Sequence, residues 1–89
     1  MLSQQIRLSP DALFQEIGGE AVILDLSSST YFGLDDIGVR IWKLLQEGAA
    51  LVTVRQQLLA EYDVESKQLE QDINAFVQQL CQAGLASVV

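Results

Sequence analysis

Histidine is absent from the 89 residues. The commonest general base and metal ligand is therefore missing. Cysteine occurs once, as Cys81, which excludes an internal disulfide and a cysteine cluster for zinc. Basic residues are scarce: five Lys and Arg stand against twelve Asp and Glu, for a net charge of −7. DNA affinity comes largely from Lys and Arg neutralising phosphates, and anionic lipid attracts polybasic segments. Nucleic acid and membrane are thus both disfavoured as partners. No run of about 18 apolar residues is present, so no spanning segment is expected. Met1–Ser9 carries Arg7 with no apolar run behind it, and Asp11 and Glu16 interrupt any signal-peptide core. The cytoplasm is the expected compartment. A phosphate loop is missing too, because Gly18-Gly19 lacks the Lys and the following helix. The serines near the strands have no His or Lys in a triad pattern. These absences argue against an enzyme, a metal site or a bound cofactor, and in favour of protein binding.

What is present is enough for one small core. Apolar residues make up 49% and charged residues 19%, the balance of a globular chain. Residues 1–89 read as a single domain, of a size that buries about 60–65% of its unfolded surface. Leu13–Ile17 is weakly strand-like, and Gly18-Gly19 suits a tight hairpin. Ala21–Leu26 reads as a strand with Val22, Leu24 and Leu26 on one face and Ala21, Ile23 and Asp25 on the other. Ser27–Ser29 signals a turn, and Thr30–Leu34 is rich in strand formers. Ile6–Leu8 offers a further short strand ended by Pro10.

After Leu34 the period becomes helical. Asp35 or Asp36 caps a first helix whose Ile37, Ile41, Leu44 and Leu45 share a face, with Trp42 beside them as a core residue and Gly48 as its stop. Val54, Leu58, Leu59 and Tyr62 mark a second helix with no clear cap at its start near Leu51–Thr53. Leu69, Ile73, Phe76, Val77 and Leu80 form the stripe of a third, from Ser66 to Ala83. Gly84 closes it and Leu85 packs back; Cys81 reads as a small apolar residue of its last turns. Strands followed by helices give an α+β domain: a three-stranded antiparallel sheet, then three helices.

Two features point to a surface. Thr30–Leu34 is last in the meander, so one edge has no sequence-adjacent partner, and it carries neither Lys nor Pro to blunt it. Tyr31 and Phe32 point to opposite faces, so one of them is exposed. The third helix also has a wide stripe for a small domain. A peptide adding as a strand, with alternate side chains in a helix–strand cleft, would use both features. The plainer alternative is that Ile6–Leu8 covers the edge and the stripe is all core.

The run from Ala21 to Gly48 resembles the PqqD-like family, the recognition domains of ribosomally made, modified peptides. The shared positions are Leu24, Asp25, Tyr31, Phe32, Leu34, Asp35, Gly38, Ile41 and Trp42, followed by Leu58–Val64, Leu69, Asp72, Phe76, Leu80 and Gly84-Leu85. The match spans about residues 13–86. The resemblance implies a winged-helix-like fold and a catalytically inert protein that binds the leader segment of a precursor peptide. The leader would dock on Thr30, Tyr31, Phe32, Gly33 and Leu34, against Leu69, Asp72, Ile73 and Phe76. A separate maturation enzyme (a protease, cyclase or radical enzyme) would then act on the presented peptide. A chain of this kind looks most like the stand-alone leader-binding proteins of lasso-peptide or quinone-cofactor clusters. Ala49-Ala50 departs from the usual Ser or Thr cap of the second helix. A winged-helix DNA regulator and an accessory subunit that binds only an enzyme are the competing readings, and a strand-swapped homodimer is open to an unprotected edge.

The charge of −7 carries a prediction of its own. A leader with Lys or Arg beside its docking segment is expected to associate faster at low salt in stopped-flow mixing. A rate indifferent to salt would remove electrostatic steering.

Overall fold

Gly18 and Gly19 hold φ values of 61° and 84°, a left-handed pair that only glycine adopts without strain. In this computed structural model they turn strand β2 (Ala12–Ile17) back onto β3 (Glu20–Asp25). The structure describes residues 5–88; Met1–Gln4, part of the stretch weighed against a signal peptide, and Val89 lie outside them. Upstream is β1 (Ile6–Leu8); downstream come β4 (Thr30–Leu34), α1 (Asp36–Gln46), α2 (Leu51–Glu61), α3 (Ser66–Gln82) and β5 (Ala86–Val88). The chain is α+β, as expected, with β2-β3-β4 as an antiparallel sheet ahead of three helices.

Period two decides what the sheet buries. Phe14, Ile23 and Phe32 lie in one cross-strand row and face the helices, with Ile23 fully buried. Leu13, Leu24 and Tyr31 form the adjacent row on the opposite face, where Leu13 and Tyr31 are exposed. The more apolar-looking side of β3 therefore faces away from the core, and the side carrying Asp25 faces in. Asp25 tolerates burial because its carboxylate is satisfied. Oδ1 accepts from the Ser27 N–H at 3.1 Å and the Ser27 hydroxyl at 2.7 Å, and Oδ2 accepts from the Ser28 hydroxyl at 2.8 Å. These bonds, with Ser29 at a φ of 61°, shape the β3–β4 turn.

Of the three helix starts, only that of α1 carries a side-chain cap; Glu65 before α3, like Ala50 before α2, makes no capping bond. Asp35 caps α1: the Gly38 N–H donates to its Oδ1 at 2.7 Å. After α1, Gly48 adopts a φ of 86° and the N–H groups of Gly48 and Ala49 reach back to Leu45 and Leu44. Ala50 gives α2 no side-chain cap, in line with its weak sequence signal. α2 is held instead by burial of Leu51, Val54 and Leu58, while Leu59 and Tyr62 are only half-buried. Arg40 of α1 makes a two-pronged ion pair with Glu61 of α2, at 2.8 and 2.7 Å. The pair is a third exposed, so it orients the helices more than it stabilises them. On α3, Leu69, Ile73, Val77 and Leu80 enter the core, and Leu85 packs back behind Gly84. Trp42 is buried among them, its indole N–H without a partner among the described residues.

One element was not foreseen. β5 pairs antiparallel with β1, Ile6 opposite Val88 and Leu8 opposite Ala86. This ribbon is separate from the main sheet. Ile6–Leu8 is thus a strand, but it does not cover the edge of β4. Its partner is the segment after α3, delivered there by the turn at Gly84.

The buried carboxylate generates a pH prediction. Hydrogen bonds from Ser27, then Ser28, hold the Asp25 carboxyl below its ordinary value. A lowered folded-state pKa means that its stabilisation is present above the unfolded value, near 3.8, and is lost as pH falls through the folded one. Urea melts across this acid range are expected to show a smaller loss of stability in Asp25→Asn than in the parent. Parallel acid profiles would remove the role given to Asp25.

Candidate functional site

β4 pairs with β3 along one side, and among the described residues nothing pairs with the other. Its sequence explains why it is a strand: Thr30, Tyr31 and Phe32 are all strand formers. The open side presents unpaired backbone N–H and C=O groups, the feature that accepts an added strand. Alternation places Phe32 and Leu34 toward the helices, half-buried. Thr30 is exposed at the turn end, and Tyr31 and Gly33 stand on the outer face, with Tyr31 74% exposed. The split expected for Tyr31 and Phe32 is what the strand adopts.

α3 supplies the wall beside this edge. The Phe76 ring lies 6.1 Å from that of Phe32, edge to face at 68°. Gly38 of α1 lets the two elements meet. A Cβ there would stand 3.0 Å from Asp35 Oδ1 and 3.5 Å from both the Leu34 side chain and the Phe76 ring. Asp72, one turn before Phe76, is exposed and accepts from the Gln68 amide at 3.0 Å. Leu69 and Ile73 are placed differently from expectation. They are 1% and 0% exposed, packed into the core, and offer no surface to a docked peptide. The wide stripe is mostly core, with α2 and β5 packed against α3; Phe76 reaches the Phe32 ring, and Asp72 shares a cleft with it.

Two clefts meet at Asp35, the residue after β4. One, of about 590 Å³, is lined by Tyr31, Gly33 and Leu34 together with acidic side chains that include Asp35 and Asp36. The other, of about 340 Å³, lies between α1 and α3 and is lined by Ile37, Gly38, Asp72, Phe76 and Gln79. Asp35 borders both. Gly38, Ile37 and Gln79 were not singled out as site residues from the sequence. Gly38 had a usable signal: glycine inside a helix costs about 1 kcal/mol relative to alanine, so its presence demands a packing reason. Cys81 lies elsewhere, half-buried beside Ile6, Leu51 and Asn74. Among the described residues no cluster of His, Cys, Asp or Glu is arranged to hold a metal ion, and no helix is long and apolar enough to cross a membrane.

An open strand edge beside a helix is a geometry that can accept an added strand. Residues 20–86 match the family described as coenzyme PQQ synthesis protein D, and the chain belongs to that family. Two solved structures are similar over nearly the whole chain. TbiB1 in complex with the TbiA(beta) leader peptide is 36% identical, with a TM-score of 0.83 over 91% of this chain and 94% of that one. Lasso peptide synthetase B1 complexed with the leader peptide is 34% identical, with a TM-score of 0.84 over 93% of this chain and 98% of that one. Among curated proteins none matches.

The two aspartates that begin α1 separate cleanly in a stability measurement. Asp35→Ala removes the cap and is expected to cost about 1 kcal/mol in urea unfolding. Asp36→Ala removes only a charge near the helix start and is expected to cost about half of that or less. Equal losses would show that charge, rather than the hydrogen bond to Gly38, is what Asp35 contributes.

Proposed function

We propose that the chain binds the leader segment of a ribosomally made precursor peptide, of the lasso type, and presents it to a separate maturation enzyme in the cytoplasm. The leader adds as a fourth strand to the open edge of β4, over Thr30–Leu34. The single observation that carries this reading is that edge, unpaired and standing beside Phe76. The two similar structures, both leader complexes, support it.

The energetics suit a binding module. Main-chain hydrogen bonds along β4 contribute about 0.5–1.5 kcal/mol each, enough for attachment but indifferent to sequence. Specificity falls to the side chains that alternate toward the helices. There Phe32, Leu34 and Phe76 form an apolar wall, and Asp72 stands ready for a donor or a cation. In this reading the chain does no chemistry. It holds one segment of the substrate while the enzyme works on another, and the local concentration gained by tethering supplies the benefit.

The test uses the TbiA(beta) leader peptide as the probe, titrated by calorimetry and followed by amide hydrogen exchange. Exchange is expected to slow along Thr30–Leu34. Phe76→Ala is expected to weaken binding by tenfold or more and Asp72→Asn by less, with both variants still folded because Asp72 is exposed and Phe76 sits half-buried at the margin of the core. Protection confined to another surface, or full affinity in Phe76→Ala, would move the site. Duplex DNA serves as the counter-probe. The exposed start of α3 sets Lys67 against Glu70 and Asp72, so no retention in low-salt filter binding is expected. Tight, salt-sensitive retention would favour a regulator instead.

A further inference from the structure

β4 carries a glycine that its own fold does not require. Gly33 keeps φ outside the left-handed range, and a Cβ built on it would meet nothing within 4 Å. Every other described glycine has either a positive φ or, at Gly38, close neighbours. Glycine weakens a strand, and inside one it marks a bulge, a bend or the close approach of another chain; the β3–β4 register runs unbroken through Gly33, so no bulge accounts for it. Gly33 lies on the outer face, two residues from Tyr31 and therefore on the same side. Both line the 590 Å³ cleft, whose other lining residues include Glu16, Glu20, Asp35 and Asp36 but no Lys or Arg. Of these, Asp35 commits one oxygen to Gly38.

We infer that the space over Gly33 receives an outward-facing side chain of the docked strand, and that this side chain is Lys or Arg. The inference rests on strand addition to β4. A long basic side chain fits each part of the cleft. Its aliphatic stem covers the bare backbone at Gly33, its charged head reaches the carboxylates, and the exposed Tyr31 ring offers a face for a cation. An acidic side chain would meet like charge there, and a short one would leave the notch open. Alternation fixes the sequence position: the basic residue falls between two residues that point toward Phe32 and Leu34. The inward pair is read by the apolar wall and the residue between them by the notch. Gly33 is then a specificity-determining residue rather than a turn former.

Random short peptides displayed on phage are the probe, selected separately on the full chain and on Gly33→Val. The variant is expected to fold, since valine is a better strand former and meets no neighbour. Selection on the parent should enrich an apolar–basic–apolar pattern. Resynthesis of an enriched peptide with its basic residue changed to Ala should cost about fivefold in affinity at low salt, and less at high salt. Selection on Gly33→Val should keep the alternating apolar residues and lose the basic preference. Enrichment of apolar residues with no basic residue between them, or an unchanged basic preference in Gly33→Val, overturns the inference and leaves strand addition standing. Selected peptides that give no exchange protection along Thr30–Leu34 overturn strand addition, and the inference falls with it.

Discussion

The pairing of β3 with β4 is the interaction on which the rest of the site depends. It runs from Ala21 opposite Leu34 to Asp25 opposite Thr30. Because side chains alternate, this register alone turns Phe32 and Leu34 toward the helices and Tyr31 and Gly33 outward. A slip of one residue would exchange the two sets and destroy both the apolar wall and the outer cleft. The turn is therefore the point where the site is specified. Asp25 specifies it, by gathering Ser27 and Ser28 around one buried carboxylate. An apolar residue at that position would leave the turn donors unanswered and the hairpin free to shift.

The helices and the terminal ribbon complete the arrangement by what they leave uncovered. α2 and β5 pack against α3, whose Leu69 and Ile73 are buried, while β1 and β5 pair with each other. Neither segment is left to close the sheet. Phe76 then stands half-buried at the margin, edge to face with the Phe32 ring. The groove is thus a remainder of core packing. Its depth is set by Gly38, where even one added carbon would press on the Asp35 carboxylate.

Much of this was legible in the sequence because it is local. The Gly18-Gly19 turn, the cap at Asp35, the stop at Gly48 and the stripe on α3 follow from the conformational needs of single residues or from a period. So did the free edge, which follows from strand order and from the lack of Lys or Pro. The misses share a different cause. β5 is three residues long and exists only because β1 is beside it, a pairing between the two ends of the chain. The family resemblance places Leu69 and Ile73 at the groove, yet both are core, because neither position nor period tells which part of a helix face the rest of the fold covers. The inward face of β3 was equally hidden. Asp25 turns inward beside Ile23, which its hydrogen bonds to the turn allow, while Val22 on the other face is buried as well. Long-range packing, not propensity, decided each of these.

The net charge of −7 takes on a second meaning once the edge is placed. An unpaired strand free of Lys and Pro is a hazard, since two copies can join edge to edge. The usual blunting charges are missing from β4 itself, yet carboxylates from β2, the β2–β3 turn region and the start of α1 gather around its outer cleft. Two copies meeting there would bring like charges together, a cost that grows as salt is lowered. A basic peptide meeting the same edge would be drawn in by the field that repels a second copy. One set of side chains therefore discourages self-pairing and favours a cationic strand, so the edge stays available without being blocked. Protective lysines on β4 would reverse both effects. They would shield the edge by repelling the basic segment for which the cleft is shaped.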